Sequence, residues 1–523
     1  MGRAGTPRPV PSGTALYKDI SSLATFNAEL GEITDAAIYV EGNEIAWVGK
    51  TSDIPAEFST ADQVMSLQDR IVLPGMINTH HHMVQCLTRC IAQDSALFGW
   101  LTALYPAWAH LTGDDVYIAC KMAMAELILS GCTTTSDHLY IFPNDVTLDD
   151  TIRAGREVGI RFHPTRGAMS LGASKGGLPP DSVCELNEEA ILKDMRRLIE
   201  EFHDNSKFAM LRIALAPAGQ KNSTKELFVA AATLARSYEG IRLHTHLAEN
   251  QVSAGRSVLL FAMLRMSLAP CSPFTVTVDL MSAAAKLARE FQGVRLHTHL
   301  AENVEDIDYS IKTYGCRPGE YIKMVGWDKD DVWFAHCCCI NDDEMKQFRD
   351  EGIGVAHCPS SNMRLASGIA PVRTLVDAGV NVGIGVDGSA SNDCSNMIAE
   401  VRLAMFLQRA NKNPKGLTAR EALGLAIKGG AKNLGRTDVG EIAPGFAADF
   451  VAWRTDTLGF AGAHIDELAA LLFCTPSIGF VDLSVINGAV VVQDGEIKTV
   501  DLKALVKEHN KASARICSHI KPS

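Results

Sequence analysis

VRLHTHLAENVEDIDYSIKTYGCRPGEYIKMVGWDKDDVWFAHC, residues 294–337, begins and ends on a short apolar strand-like run with a helical stretch between. Both runs, VRLHTHL and VWFAHC, finish on ionisable or polar side chains. Outward from this unit the same alternation fills about residues 73–435, with strand-like runs MINTHHH, CTTTSDH, IRFHPTR, LRIALAP, VRLHTHL, VWFAHC, IGVAHC and VNVGIGVD. Thr112 to Gly131 shows the character of the intervening segments: a Thr cap, Asp114 and Asp115 in the first turn, and a Gly stop. Eight strands separated by helices are the count of an α/β fold of the (β/α)8 barrel type, which gathers reactive groups at its strand ends.

The flanks differ. In residues 15–72, AAIYVEGNEIAWVGK alternates around a Glu41-Gly42-Asn43 turn; in residues 436–523, SVINGAVVVQDGEI carries an Asn487-Gly488 hairpin signal. These β-rich ends are expected to pack together as one small composite β-sandwich, with residues 1–14 a disordered lead-in. The chain has 523 residues, 47% apolar and 21% charged, which excludes a disordered polymer. Its longest apolar runs are too short to span a bilayer. A net charge of −12 without any Lys/Arg run argues against a nucleic-acid backbone binder. The N-terminal stretch has no apolar h-region, and 14 Cys without a small-scaffold spacing fit a reducing compartment. A cytoplasmic location and a small-molecule partner, with no nucleic acid and no membrane, are therefore expected.

One feature breaks the count of eight. Residues 208–250 and 261–303 form an ungapped repeat offset by 53, identical at 26 of 43 positions. Each copy is a strand–helix–strand unit, and two units are too few for a solenoid. A closed eight-strand barrel has no vacancy for two more strands, so one copy is expected outside it.

Several strand ends carry chemistry. His80 and His82 alternate onto one face and can share a metal, although His-x-His alone also describes a polar strand end. His297 and His299 repeat the pattern, with Glu302 just beyond; imidazole suits a metal and the carboxylate suits proton transfer, against the plainer reading of a solvated strand end. Taken alone, His336 and His357 read as satisfied core histidines, with substrate lining a second reading for His357. Cys337-Cys338-Cys339 cannot converge on one ion, because consecutive strand residues face opposite sides. Asp387 ends an apolar strand, where an acid is costly without a cation nearby. Gly383-x-Gly385-x-x-Gly388 matches a dinucleotide fingerprint only formally, for no second strand with a ribose-binding acid follows.

LPGMINTHHH, HTHLAEN, WFAHC and GIGVDGSASND together resemble the amidohydrolase superfamily, in its purine and triazine deaminase branch. NTHHHMVQCLTR, FGWLTALYPAWAHLT, TRGAMSLGASKGGLPPDS, LAPCSPFTVT and AHCPSSNMRLASGIAPV are similar, more narrowly, to bacterial-type 8-oxoguanine deaminases. The resemblance implies one zinc, with iron the other metal such a site takes, held by His80, His82, His299 and Asp387. The carboxylated Lys of binuclear relatives has no counterpart in LRMSLAP. It further implies that Glu302 protonates a ring nitrogen, His336 orients the attacking water, and Asp387 passes a proton towards departing ammonia. Gln85, Trp100, Arg166 and Cys271 fall at motif positions for substrate contacts.

The implied reaction is deamination of 8-oxoguanine to urate, with guanine or a hydroxy-s-triazine as alternative substrates. An inactive binding protein disabled by the duplication is the alternative of another class. Copy two keeps Cys271-Ser272-Pro273-Phe274 where copy one reads APAGQKNST, so copy two is expected to build the site and copy one to be extruded. The rival arrangement uses His246 and Glu249, and an artefact of the coding sequence is a third. Relatives of this branch are commonly homo-oligomers.

Overall fold

The computed structural model describes residues 3–78, 81–94, 97–169, 173–175, 180–204, 206–217, 242–243, 267–268, 295–330, 332–387, 392–410, 412–434 and 436–520. The strands in chain order are β1 (Thr14–Ala24), β2 (Glu32–Glu41), β3 (Glu44–Lys50), β4 (Gln63–Ser66), β5 (Arg70–Pro74), β6 (Met76–Asn78), β7 (Cys132–Leu139), β8 (Arg161–Ala168), β9 (Ala214–Pro217) and β10 (Arg242–Leu243). They continue with β11 (Ser267–Leu268), β12 (Arg295–Leu300), β13 (Val332–His336), β14 (Gly354–His357), β15 (Val382–Ile384), β16 (Phe450–Arg454), β17 (Leu483–Ile486), β18 (Ala489–Gln493) and β19 (Glu496–Ile497).

Both chain ends contribute to one nine-stranded sheet of order β19-β18-β17-β16-β5-β1-β2-β3, with β4 beside β1. The join is antiparallel, β5 on β16, with Pro74 opposite Phe450 and Arg70 opposite Arg454. Period-two patterning collects Tyr17, Ile38, Val40, Val72, Phe450 and Val485 into one apolar core. The hairpin turn after β17 needs positive φ, and Asn487 (52°) and Gly488 (78°) supply it. That turn seats on the β2–β3 turn: Asn43 Nδ2 donates to Asn487 Oδ1 at 3.2 Å, and a Cβ on Gly488 would meet the Gly42 carbonyl at 2.0 Å.

The middle of the chain forms two parallel five-stranded sheets, β10-β9-β8-β7-β6 and β11-β12-β13-β14-β15, with helices in the connections. The helix Gly113–Leu129 is typical. Thr112 and Asp115 form a reciprocal capping box at its start, and Val116, Ala119, Cys120, Ala123 and Leu127 are among its buried residues. Among the described residues no helix is long and apolar enough to cross a membrane.

The sheet domain and the parallel strands meet at one buried ion pair. Arg161, the first residue of β8, donates from Nε and Nη2 to the two oxygens of Asp449, each at 2.9 Å. Its remaining N–H groups reach the Phe208 carbonyl, the Ala209 carbonyl at 2.9 Å and Asn487 Oδ1 at 3.2 Å. Asp449 also accepts from the Asn487 backbone N–H at 2.7 Å, and neither side chain is more than 3% exposed. Nearby, Asp438 accepts from Arg436 Nε at 2.6 Å and Nη2 at 2.8 Å, and from the Phe208 N–H at 3.3 Å.

The structure departs from the sequence-based expectation at three places. Residues 3–13, expected as a disordered lead-in, are docked: Arg3 pairs with Asp150 at 2.7 Å and Asp145 at 3.1 Å, and Ala4 is buried. Long-range ion pairs of this kind leave no local pattern. The end of the 436–523 segment leaves the sheet. The helix Leu502–Cys517, capped by Asp501, buries Leu505, Ala512 and Ile516, and Ser513 donates to the Leu87 carbonyl at 2.7 Å.

Third, neither repeat copy stands wholly outside the sheets. In copy one β9 pairs with β8, Thr165 opposite Ala214, and in copy two β12 pairs with β13, Leu296 opposite Val332. Within each copy the register is the same: Ala214 faces Arg242 in one, and Ser267 faces Arg295 in the other. Over the described residues the two copies thus share one strand register, but copy one joins its sheet through its first strand and copy two joins the other sheet through its second.

Two stability outcomes follow. Arg161→Met leaves Asp449 buried without its cation, and is expected to lower the urea-measured unfolding free energy by about 3–5 kcal/mol. Burial alone would raise the Asp438 carboxyl, but the Arg436 contacts outweigh it and hold it at about 2, against an ordinary 3.8. A depressed carboxylate contributes stability that is present above the unfolded value and lost as pH falls through the folded one. Asp438→Asn should therefore cost about 2 kcal/mol near neutrality and almost nothing at pH 2, read from denaturation midpoints across that range.

Candidate active site at the strand ends

The reactive groups of the second sheet lie at or just past its strand ends. His336 closes β13 and is opposite Leu300 of β12; His357 closes β14 and is opposite Ile384 of β15. Glu302 follows β12, and Asp387 follows β15. His336 (φ 69°) and Asp387 (φ 62°) are both left-handed, a region that His and Asp enter more readily than most residues and that concentrates at functional sites. The turn redirects each side chain out of the strand's alternation.

Their hydrogen bonds converge on one short segment. The His336 Nδ1–H donates to Asn362 Oδ1 at 2.7 Å, and Nε2 lies 3.8 Å from Glu302 Oε2. Ser361 Oγ donates to Asp387 Oδ2 at 2.6 Å, and Ser367 Oγ lies 3.4 Å from Glu302 Oε1. Ser361 and Asn362 belong to the helix Pro359–Arg364, which directly follows β14. The sequence-based reading did not single them out; the Ser-Ser-Asn after a strand end in AHCPSSNMR was the available signal.

Cys358 was missed as well. Among the described residues His336, Cys358 and Asp387 bring one ligand atom each within 4.8 Å of one another. A nitrogen, a sulfur and a carboxylate oxygen so placed form a donor set that fits a divalent transition metal. Burial holds the Cys358 thiol well above its ordinary pKa, so it sits there as a neutral donor to the Ala356 carbonyl at 3.8 Å. His357 is fully buried, and among the described residues neither ring nitrogen has a hydrogen-bond partner. Burial, with His336 adding to it, lowers its pKa to about 3, so the ring is neutral.

On the first sheet, His82 is buried with its ring edge-on to Tyr140 at 5.3 Å, outside the 4.8 Å group just described. The turn Met83–Thr88 that follows is pinned by the Met83 N–H on Asp137 Oδ1 at 2.8 Å. Gln85 Nε2 donates to Tyr140 at 3.1 Å, leaving its buried Oε1 without a partner. An unpaired buried amide oxygen is an acceptor for a ligand N–H. His81, the middle of the triple, bonds Ser395 Oγ at 2.8 Å, and burial lowers its pKa to about 3.

Arg166, expected among the substrate contacts, is engaged by protein groups in this structure. Its Nε donates to Asp194 at 2.9 Å, and Nη1 and Nη2 to Glu185 at 2.9 and 2.7 Å, while Phe142 covers the guanidinium at 3.6 Å. Two carboxylates and a backbone carbonyl engage four of its five N–H groups, so it braces the end of β8. Trp100 lies in the helix Leu97–Trp108, and residue 299 lies on β12 opposite Ala335; only their backbones are described. His80, Cys271, His246 and Glu249 lie outside the described residues.

Comparison with known proteins places this geometry. The model of the amidohydrolase family matches twice, over residues 71–255 and 254–491, so the matches part between the repeat copies. The 8-oxoguanine deaminase of Pseudomonas aeruginosa is 41% identical over 450 residues, 85% of this chain and 87% of that protein. The hydroxydechloroatrazine ethylaminohydrolase of Pseudomonas sp. (strain ADP) is 30% identical over 523 residues, covering 96% of each. Among solved structures, the zinc-complexed atrazine chlorohydrolase of Arthrobacter aurescens TC1 superposes with a TM-score of 0.72 at 30% identity, covering 95% of this chain and 100% of that one. With both halves matched by the family model and most of the length shared with such relatives, the chain belongs to the amidohydrolase family.

Proposed function

We propose that the chain deaminates 8-oxoguanine hydrolytically, taking up water and releasing urate and ammonia. The observation that carries this is the 41% identity to 8-oxoguanine deaminase over 85% of the chain. The chain is a hydrolase of the amidohydrolase family, and its named relatives include several deaminases. In this reading residues 73–435 close into a (β/α)8 barrel, the chain ends form the accessory β-domain, and one zinc is held by His80, His82, His299 and Asp387. The nitrogen and carboxylate donors at His336 and Asp387 support a metal there. When bound, such a metal supplies Lewis acidity that brings the pKa of water towards neutrality.

The chain's own groups supply the proton traffic. The Nε2 lone pair of His336, fixed by the Nδ1 bond to Asn362, accepts a hydrogen bond from the attacking water and orients it. Glu302, partly exposed and 3.8 Å from that nitrogen, carries a proton to the ring nitrogen beside the amine-bearing carbon. Asp387, held by Ser361, receives a proton and hands it to the leaving ammonia. Gln85 Oε1 is the acceptor for a purine N–H, with Trp100 and Cys271 as further substrate contacts. Arg166 acts through the β8 end and not by touching substrate.

The pairing of β12 with β13 favours copy two as the source of the ligand histidine, since that copy's second strand adjoins the His336 strand. The relation to hydroxydechloroatrazine ethylaminohydrolase supports a hydroxytriazine as the second candidate substrate.

Ammonia release from purified, zinc-loaded protein over 8-oxoguanine, guanine, isoguanine and hydroxytriazines tests the substrate. Preferential turnover of 8-oxoguanine is expected; preference for a hydroxytriazine, or silence from folded, metal-bound protein, would overturn it. His299→Ala is expected to abolish turnover and zinc retention while His246→Ala leaves both intact; the reverse pattern would put the site in copy one.

A further inference from the structure

The helix Pro359–Arg364 commits three consecutive residues to polar anchors. Ser361 bonds Asp387, Asn362 bonds His336, and Ser360 turns the other way, to Glu400. Glu400 lies on the helix Met397–Ala410, is 1% exposed, and takes no part in the proton traffic described above. Its Oε1 accepts from the Ser360 hydroxyl and from Asn392 Nδ2 at 3.0 Å, and its Oε2 accepts from the Ser360 N–H at 3.3 Å. The same Asn392 amide donates to the carbonyl of Val386 at 3.0 Å, the residue before Asp387.

Two hydrogen-bonded routes therefore run from one buried carboxylate to Asp387. One passes through Ser360 to its neighbour Ser361; the other passes through Asn392 to the backbone on which Asp387 stands. An isolated carboxylate in that position would be costly, and among the described residues its donors come from the two segments that carry the site. Helix packing alone would be served by an apolar side chain, as at Val401 beside it, which is fully buried. Asp387 is left-handed and lies just past the end of β15, where the Ser361 hydroxyl and the Asn392-bonded Val386 carbonyl adjoin it.

We propose that Glu400 is a positioning residue, which fixes Asp387 through Ser360–Ser361 and Asn392, and His336 through the adjoining Asn362, for metal holding and proton transfer. The proposal rests on the reading of this site as a metal-dependent deaminase centre.

The test compares Glu400→Ala, Glu400→Gln and Val401→Ala by zinc retention against a competing chelator, by kcat and KM, and by melting temperature. Glu400→Ala is expected to lower zinc affinity or kcat by about 10–100-fold with KM nearly unchanged, the range seen when a residue behind a metal ligand is lost. Glu400→Gln keeps an acceptor for Ser360 and should recover part of the loss. Val401→Ala loosens the same helix and should lower the melting temperature while leaving zinc retention and kcat alone. If Glu400→Ala matches wild type in both, or merely follows its melting temperature as Val401→Ala does, the proposal falls. Zinc retention also separates the two readings: a wild type silent on every substrate, with zinc still loosened in Glu400→Ala, sinks the substrate and leaves the positioning role standing.

Discussion

The ion pair between Arg161 and Asp449 is the constraint on which the arrangement turns. It is fully buried, all five guanidinium N–H groups are used, and the acid takes a further bond from the Asn487 N–H. A buried pair is a poor source of net stability, but breaking one is costly, so it restricts which arrangements are tolerable. Here it fixes the start of β8 against the start of β16, two segments 288 residues apart. The Gly75 N–H donates to the Asp449 carbonyl at 3.1 Å, so the same residue also locates the step from β5 into β6. Two sheets that share no strand, the mixed sheet of the chain ends and the parallel sheet that contains β8, are thereby held to one another.

At the opposite ends of the strands the rigid sheets stop and hydrogen bonds take over. His336, the last residue of β13, and Asp387, just past β15, both take left-handed backbone conformations. The helix Pro359–Arg364 adds side-chain contacts, one per residue over three residues. A one-turn helix is a weak platform by itself. It is tied to the neighbouring loop by Arg364 on Asp393 at 3.0 Å, and that loop is tied to β15 through Asn392. Placement of the reacting groups therefore draws on a set of polar contacts around a short element as well as on the sheet beneath it.

Much of this was legible in the chain. Alternating runs and polar strand ends identified the strands that carry Glu302, His336 and Asp387, because burial on both faces writes continuous apolar runs into parallel strands. The Asn487-Gly488 and Gly42-Asn43 signals marked two turns, although not that they seat on each other. What stayed hidden was non-periodic. The partners of Arg166 lie 19 and 28 residues away on polar stretches, and no local spacing announces them. Ser360, Ser361 and Asn362 are short polar residues with no spacing rule, and the Arg3 pairs span more than 140 residues. The fate of the repeat was illegible for a different reason. Identity at 26 of 43 positions makes the two copies equal candidates for every local contact, and only the strands outside them decide which end is used.

That division of labour makes one repeat length separable from the rest of the chain on paper. The chain enters the repeat through β9 of copy one and leaves it through β12 of copy two, while the two copies keep one internal register. Excising one repeat length, residues 218–270, would join Pro217 to Cys271 and turn ALAP-AGQK into ALAP-CSPF, the continuation that copy two already has. The shortened chain would keep, on either side of the junction, the strands β8 and β13 with which the two outer repeat strands pair.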